Sequence, residues 1–186
     1  MKKILIALAI AGLGLCVRAA ESPVSIDPQH SRIEFDVKAT MHGFTGKVEA
    51  YKTDIIADPA SGLVTKAQVQ VKFADLKTGD TKRDREMLEW EQVDQFPEVL
   101  YTMTKLDSLG GGKYTAHGQL ILHGVTKEIA FPVTIATADK TTYSIDGETN
   151  LDTHDYNLPT IRKFGMLKVN PVVRVFFHLQ GSAAVK

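Results

Sequence analysis

From residue 32 onward, apolar and polar side chains alternate along most of the chain. Ile33, Phe35, Val37 and Ala39 are separated by Glu34, Asp36 and Lys38, while Ala67, Val69, Val71 and Phe73 are separated by Gln68, Gln70 and Lys72. The period returns at Ile129, Phe131, Val133 and Ile135, at Tyr143 and Ile145, and at Val173, Val175, Phe177 and Leu179. Successive side chains of a strand point to opposite faces, so each run predicts a β-strand with one apolar face and one wet face. Less regular runs at 48–56, 99–106 and 114–122 bring the expected total to about eight strands.

Short polar links separate these runs. His42-Gly43, Asp58-Pro59-Ala60-Ser61-Gly62, Gly110-Gly111-Gly112 and Asp139-Lys140 are turn signals that join neighbouring strands in antiparallel fashion. Two connections are longer. Residues 80–91 are charged and free of Gly and Pro, with Asp80 or Thr81 placed to cap a helix and Asp84, Met87, Leu88 and Glu91 at helical spacing. Residues 153–170 hold Pro159 and Gly165 and read as an irregular loop, of the length often found at a rim. The expected architecture is therefore all-β, with one short helix in the connection after the third strand. About eight antiparallel strands remove their exposed edges by rolling into a barrel. A two-sheet sandwich has the same periodicity and stays open as the alternative.

The N-terminus has a different composition. Lys2 and Lys3 precede an apolar run from residue 4 to 17, which ends at Val17-Arg18-Ala19. The run is shorter than the ~20 residues of a membrane span. It reads as a secretory signal peptide, residues 1–19, cleaved after Ala19 or Ala20, with a single barrel domain at 20–186. Cys16, the sole cysteine, falls inside it, and Leu15 is too large for the lipoprotein signal that a cysteine there would require. The released domain is expected in the periplasm, with no disulfide and no permanent membrane span. Cleavage also removes Lys2, Lys3 and Arg18 from 22 basic residues, which leaves 19 against 22 acidic ones. A mildly acidic domain is not suited to a phosphate backbone, so nucleic acid is not an expected partner.

Catalytic signals are sparse. No serine stands in a G-x-S-x-G turn, and the released domain holds no cysteine nucleophile. His30, His42, His117, His123, His154 and His178 form neither H-x-H nor H-E-x-x-H, so no metal and no cofactor are expected. His154-Asp155 is weak as a dyad, because adjacent strand residues point apart. Asp84, Glu86, Glu89 and Glu91 read as the solvated face of the helix. An exported barrel with an apolar interior and no catalytic constellation is a container before it is an enzyme.

Four stretches carry a family resemblance. They are Ile26-Asp27-Pro28-Gln29-His30-Ser31-Arg32-Ile33-Glu34-Phe35-Asp36-Val37, then Met41-His42-Gly43-Phe44-Thr45-Gly46, then the spaced set Thr78, Arg83-Asp84, Leu88 and Phe96-Pro97, and last Gly118-Gln119-Leu120-Ile121-Leu122-His123-Gly124-Val125-Thr126-Lys127. Together, and in this order, they resemble the YceI-like family of periplasmic, lipocalin-like polyisoprenoid-binding proteins. One departure lies at 153–159, where many members carry a basic residue ahead of an acidic-aromatic-glycine turn and this chain has neither the arginine nor the glycine.

The resemblance implies an eight-stranded antiparallel lipocalin-like barrel. Its apolar bore would hold a long-chain isoprenoid or other amphiphilic lipid, for storage or transport across the periplasm. The ligand-lining candidates are Phe35, Val37, Phe44, Val71, Leu88, Phe96, Phe131, Ile145 and Phe177, and the head-group candidates at the rim are His42, Arg83 and His154. Met41, Met87 and Met103 offer adaptable thioether contacts if they face inward. Barrels of this size hold either side chains or one small ligand, so a hollow bore and a filled one both stay open. With them stay an enzyme acting on a lipid or quinone-like molecule, a stress-related protein with a filled barrel, and a homodimer.

Overall fold

The computed structural model describes residues 21–40, 42–163 and 167–184. The expected signal peptide at 1–19, with Cys16, and Met41 lie outside the described residues. In chain order come β1 (Ser22–Ile26), β2 (Arg32–Ala39), β3 (Phe44–Val48), β4 (Tyr51–Asp58), β5 (Leu63–Lys72) and β6 (Leu76–Lys77). The helix α1 (Thr81–Trp90) follows, then β7 (Glu98–Gly110), β8 (Lys113–Leu122), β9 (Val125–Thr137), β10 (Thr142–Asp152), β11 (Arg162–Lys163) and β12 (Leu167–Ala183).

These segments form one closed antiparallel ring. Its order is β1-β4-β5-β7-β8-β9-β10-β12, and β12 returns to β1 through Val24 opposite Ala183, Ser25 opposite Ser182 and Ile26 opposite Gly181. β2 continues β1 along β12, β3 continues β4, and β6 continues β5, so the extra segments lengthen three of the eight staves without adding new ones. The barrel is closed, as the period-two pattern allowed.

The last stave corrects one expectation. The irregular stretch foreseen at 153–170 is shorter, because β12 starts at Leu167 and a 3-10 turn already forms at Thr153–Tyr156. The register shifts between Val169 and Val173, around Pro171. A proline cannot donate to the ladder and a bulge moves side chains across the sheet, so the alternation that marks a strand is lost there. β1 is a five-residue strand with Pro23 at its second position, too short to announce itself by periodicity.

The two ends of the barrel differ. At the hairpin end lie the 58–63, 110–113 and 137–142 turns, where Lys140 Nζ donates to Ala60 O at 2.6 Å and Ile135 N to Gly112 O at 2.8 Å. Val24, Ala57, Val64, Ile135, Tyr143 and Leu179 fill this end from wall to wall. At the loop end a second cluster, Phe73, Leu120, Leu122 and Tyr156, packs under Leu88 of α1 and under Val93. The helix is held there by its own chemistry. The Asp80 side chain accepts from Lys82 N and Arg83 N, filling two of the orphan donors of the first turn. At its other end Trp90 Nε1 donates to Pro159 O at 3.0 Å, tying α1 to the segment before β11.

Tyr143 is 1% exposed at the centre of the hairpin-end plug, and its hydroxyl donates to Lys140 O at 2.9 Å. Tyr143→Ala should lower stability by about 3–5 kcal/mol, the range for aromatic truncation in a core. Tyr143→Phe should cost about 1 kcal/mol through the lost hydrogen bond. Urea titration with an unchanged slope and a lower midpoint is the measurement.

A candidate ligand bore

On β5, β7, β10 and β12 the inward-facing side chains change character along the stave, whereas on β2 Ile33, Phe35 and Val37 and on β8 Ala116, Leu120 and Leu122 stay buried throughout. On β10, Tyr143 and Ile145 are buried, whereas Gly147, Thr149 and Leu151 are half-buried. On β12 the sequence runs from buried Leu179 through half-buried Phe177, Val175 and Val173. β5 repeats it, with Val64 buried and Val69 and Val71 half-buried, and Tyr101 and Met103 on β7 are half-buried too. An inward residue that keeps solvent contact borders empty space. The barrel is plugged at the hairpin end and roofed at the loop end by α1 and the 153–158 segment, and between them Val69, Tyr101, Met103, Val175 and Phe177 pack on the main core with part of their surface left uncovered.

The calibre of the middle part depends on how its aromatic rings lie. Phe35 stands directly across from Gly46, and Phe177 directly across from Gly147. A Cβ at Gly46 would come within 2.2 Å of the Phe35 ring, one at Gly147 within 2.5 Å of the Phe177 ring, and one at Gly118 within 2.5 Å of the Tyr101 ring. Glycine in a strand interior marks such a close approach. The rings therefore lie flat against the wall instead of projecting into the bore. Phe131 lies between two of them, 5.4 Å from Tyr101 and 6.2 Å, edge-on, from Phe177, forming an aromatic belt.

The YceI-like domain model matches residues 25–181. The chain belongs to the YceI-like family. This YceI-like barrel is 28% identical over 172 residues to a UPF0312 protein of Vibrio parahaemolyticus, covering 87% of this chain and 91% of the relative. A UPF0312 protein of Pseudomonas syringae pv. tomato is 26% identical over 169 residues, with 85% and 88% covered. Among solved structures, BcnA of Burkholderia cenocepacia superposes with a TM-score of 0.73 at 22% identity, covering 84% of this chain and 99% of BcnA. A polyisoprenoid binding domain from Saccharophagus degradans, implicated in plant cell wall breakdown, gives 0.66 at 17% identity, with 88% and 99% covered. At these identities the structural matches speak for the fold.

Within the YceI-like barrel the sequence-named residues separate into three places. Phe35, Val37 and Phe131 are buried on inward faces, with Ile145 in the hairpin-end plug, while Val71 and Phe177 are half-buried and Phe177 packs on the main core. Phe44, Leu88 and Phe96 belong to the loop end. There the Arg83 guanidinium lies 3.9 Å from the centre of the Phe44 ring, Leu88 packs on the second cluster, and the Phe96 ring lies 4.3 Å from His123, tilted against it by 54°. His42, Arg83 and His154 all stand at this end on three separate connections, and among the described residues no hydrogen bond or ion pair joins them. Arg83 donates to Thr78 Oγ1 at 2.9 Å and to Thr78 O at 2.8 Å, so it also braces the helix entry. His154 meets Thr160 Oγ1 at 2.7 Å and lies 3.5 Å from Asp152, while Asp155 turns to Lys127. Met103 packs on the main core and Met87 is half-buried. Among the described residues no three His, Cys, Asp or Glu side chains converge as a metal site, and no helix is long and apolar enough to cross a membrane.

Tyr101, Gly46, Gly118 and Gly147 escaped the residue pattern as site positions, although a glycine inside an alternating strand was the available signal. Glu91 overturns an expectation. It was read with the solvated helix face, yet it is 5% exposed and its Oε2 has no hydrogen-bond partner. It caps the C-terminus of α1, between Leu88 and Val93, both of which press on the second cluster. Helical spacing with Met87 and Leu88 placed it on the inward side, and its charge concealed that. Burial pushes its carboxyl up to about 8. The same cause pushes the Tyr101 hydroxyl up to about 12.

Two predictions follow from this geometry. Gly147→Ala should force the Phe177 ring off the wall and cost about 1–3 kcal/mol by overpacking, read by urea titration. For Glu91 the folded carboxyl keeps its proton to about 8, whereas the unfolded one releases it near 4.5. The folded state therefore binds the extra proton, and stability falls as pH rises through that window, by at most about 1.4 kcal/mol per pH unit. Glu91→Gln should abolish this slope and be more stable than the parent near pH 8, as measured by thermal midpoints across the window.

Proposed function

We propose that this YceI-like barrel is a binding protein that holds the tail of a long-chain polyisoprenoid or similar lipid in its apolar bore. It would carry or store that lipid in the periplasm after loss of residues 1–19. The gradient along the staves carries the reading. A barrel built only to be filled would bury the inward side chains of every stave along its whole length, whereas on β5, β7 and β12 Val69, Val71, Met103, Val175 and Phe177 keep part of their surface uncovered beyond the plug, which supports this reading. Each methylene-sized group moved from water into such a space contributes about 0.8 kcal/mol, so a row of isoprene units gains affinity with length. The Saccharophagus domain named as polyisoprenoid binding has the same fold and supports the same class of ligand.

In this reading Val71, Phe131 and Phe177, with Tyr101 and Met103, contact the tail. Phe35 and Val37 continue the lining, Ile145 forms part of its floor, and Phe44, Leu88 and Phe96 roof it. His42, Arg83 and His154 stand where a polar head directed to the loop end would meet them. The barrel binds without transforming its ligand and needs no metal or cofactor to do so.

Native mass spectrometry of protein purified from its own host should show a co-purifying lipid. Solanesol should bind more tightly than geraniol in a direct titration. Val175→Trp adds bulk to the middle part and should weaken solanesol binding about tenfold, with a thermal midpoint near that of the parent. A barrel that carries no lipid and has no affinity for solanesol would refute the reading.

A further inference from the structure

Between its first two staves the barrel wall is not hydrogen-bonded along its whole length. β1 pairs with β4 up to Val24 opposite Ile55, and the ladder resumes only where β2 meets β3 at Glu34 opposite Lys47. Among the described residues no ladder pair joins the two staves between these points. The borders of this gap are held, but each by its other neighbour. On one side Asp27 N donates to Gln180 O at 2.8 Å and Gln180 N donates to Ser31 Oγ at 2.8 Å, fixing the first stave to β12. On the other, Glu49 N donates to Asp75 O at 2.8 Å, fixing the second stave to the 3-10 turn at Phe73–Asp75. Strands anchored outward on both sides of a gap make a slit, whereas a frayed edge would leave its donors free.

A cavity of about 720 Å³ occupies this slit. Its lining alternates in a telling way. Ile26, Ile33, Val48 and Tyr51 are inward-facing residues that belong to the main core or pack on it, so the cavity reaches the interior. Pro28, Arg32, Glu34, Lys47 and Ala50 line the same cavity from the outer face. The Arg32–Glu34 and Lys47–Glu49 pairs, at 3.1 and 3.5 Å, keep the long outer side chains engaged with their own strands instead of across the gap. The Tyr51 hydroxyl is buried at the inner side, beside the Ser31 side chain on the opposite border. The cavity thus lies in the wall between inward- and outward-facing residues, with a charged outer lip and an apolar inner side.

Both ends of the bore are closed by packed side chains, the plug around Tyr143 and the roof around Phe73 and Tyr156. We infer that the slit between the first and second staves is the passage by which an apolar chain enters and leaves the bore sideways. The inference rests on the bore being the ligand site. An apolar chain suits the inner side because Ile26, Ile33, Val48 and the Tyr51 ring offer it continuous contact with the core, and the ion-paired lip stays in water as the chain slides past.

A passage and a binding site are told apart by kinetics. A bulky group that narrows a passage slows entry and exit equally and leaves the equilibrium untouched. Ala50→Trp and Pro28→Trp each place an indole at the outer lip, away from the bore lining. Stopped-flow mixing of each full-length variant with dansyl-labelled solanesol should show association and dissociation both slowed about tenfold. Equilibrium titration should give a dissociation constant within about twofold of the parent's. The two positions act independently, so one that perturbs folding, seen in its thermal midpoint, leaves the other as the test. Parental rates in a folded variant, or a change in dissociation alone, would overturn the passage while leaving the bore as the ligand site. No binding by the parent protein at any concentration would remove the bore reading, and the passage with it.

Discussion

Ring closure rests on β12 pairing with the first stave, through three residue pairs with β1 and seven with β2, and everything else about the molecule follows from it. Gly181 makes it possible, since a Cβ there would stand 2.6 Å from Ser25 O. Once the ring is closed, each stave has an inside and an outside, and the parity of every residue is decided together. Without closure β1 and β12 would present bare donors and acceptors at two edges, and the inward faces would have no interior to share. The short β1 thus carries more of the architecture than its five residues suggest.

The outer surface is polar and paired, but weakly so. Arg174 bridges Asp36 and Glu148 across three staves, with the guanidinium over Phe176, and His178 meets Asp146. Exposed pairs of this kind are worth about 0–1 kcal/mol each, so they keep the outside wet without holding the barrel together. Stability lies instead in the two apolar clusters at the ends.

How much of this was legible in the chain depended on which physical signal each feature left. Alternation revealed the strands wherever the staves are regular, and Asp80 announced the start of α1 through its capping role. The same rule failed at the bulge around Pro171, where parity changes, and at β1, which is too short to show a period. Among candidate site residues, inward parity found Phe35, Phe131 and Phe177, because parity is local. It missed Tyr101 in a less regular run, and it gave no hint that glycines on neighbouring staves receive the rings. Which residues oppose each other is a matter of register, and register is a property of two strands at once. Glu91 was misread for a related reason. Charge predicts exposure on average, and only the packing of Leu88 and Val93 around it shows that this carboxyl is enclosed.

The ring-over-glycine pairs have a consequence for how such a barrel can vary. Each is a unit of two facing positions, one supplying bulk and the other supplying the absence of a side chain to receive it. Exchanging both members of a unit, a smaller ring partner with a larger residue in place of its glycine, would alter the local calibre of the channel while the backbone ladder stays as it is. Phe35 with Gly46 and Phe177 with Gly147 sit at different heights and on different staves, so the calibre is adjustable in independent steps. A family with this fold thus has a route to ligands of different girth that never touches strand number or closure.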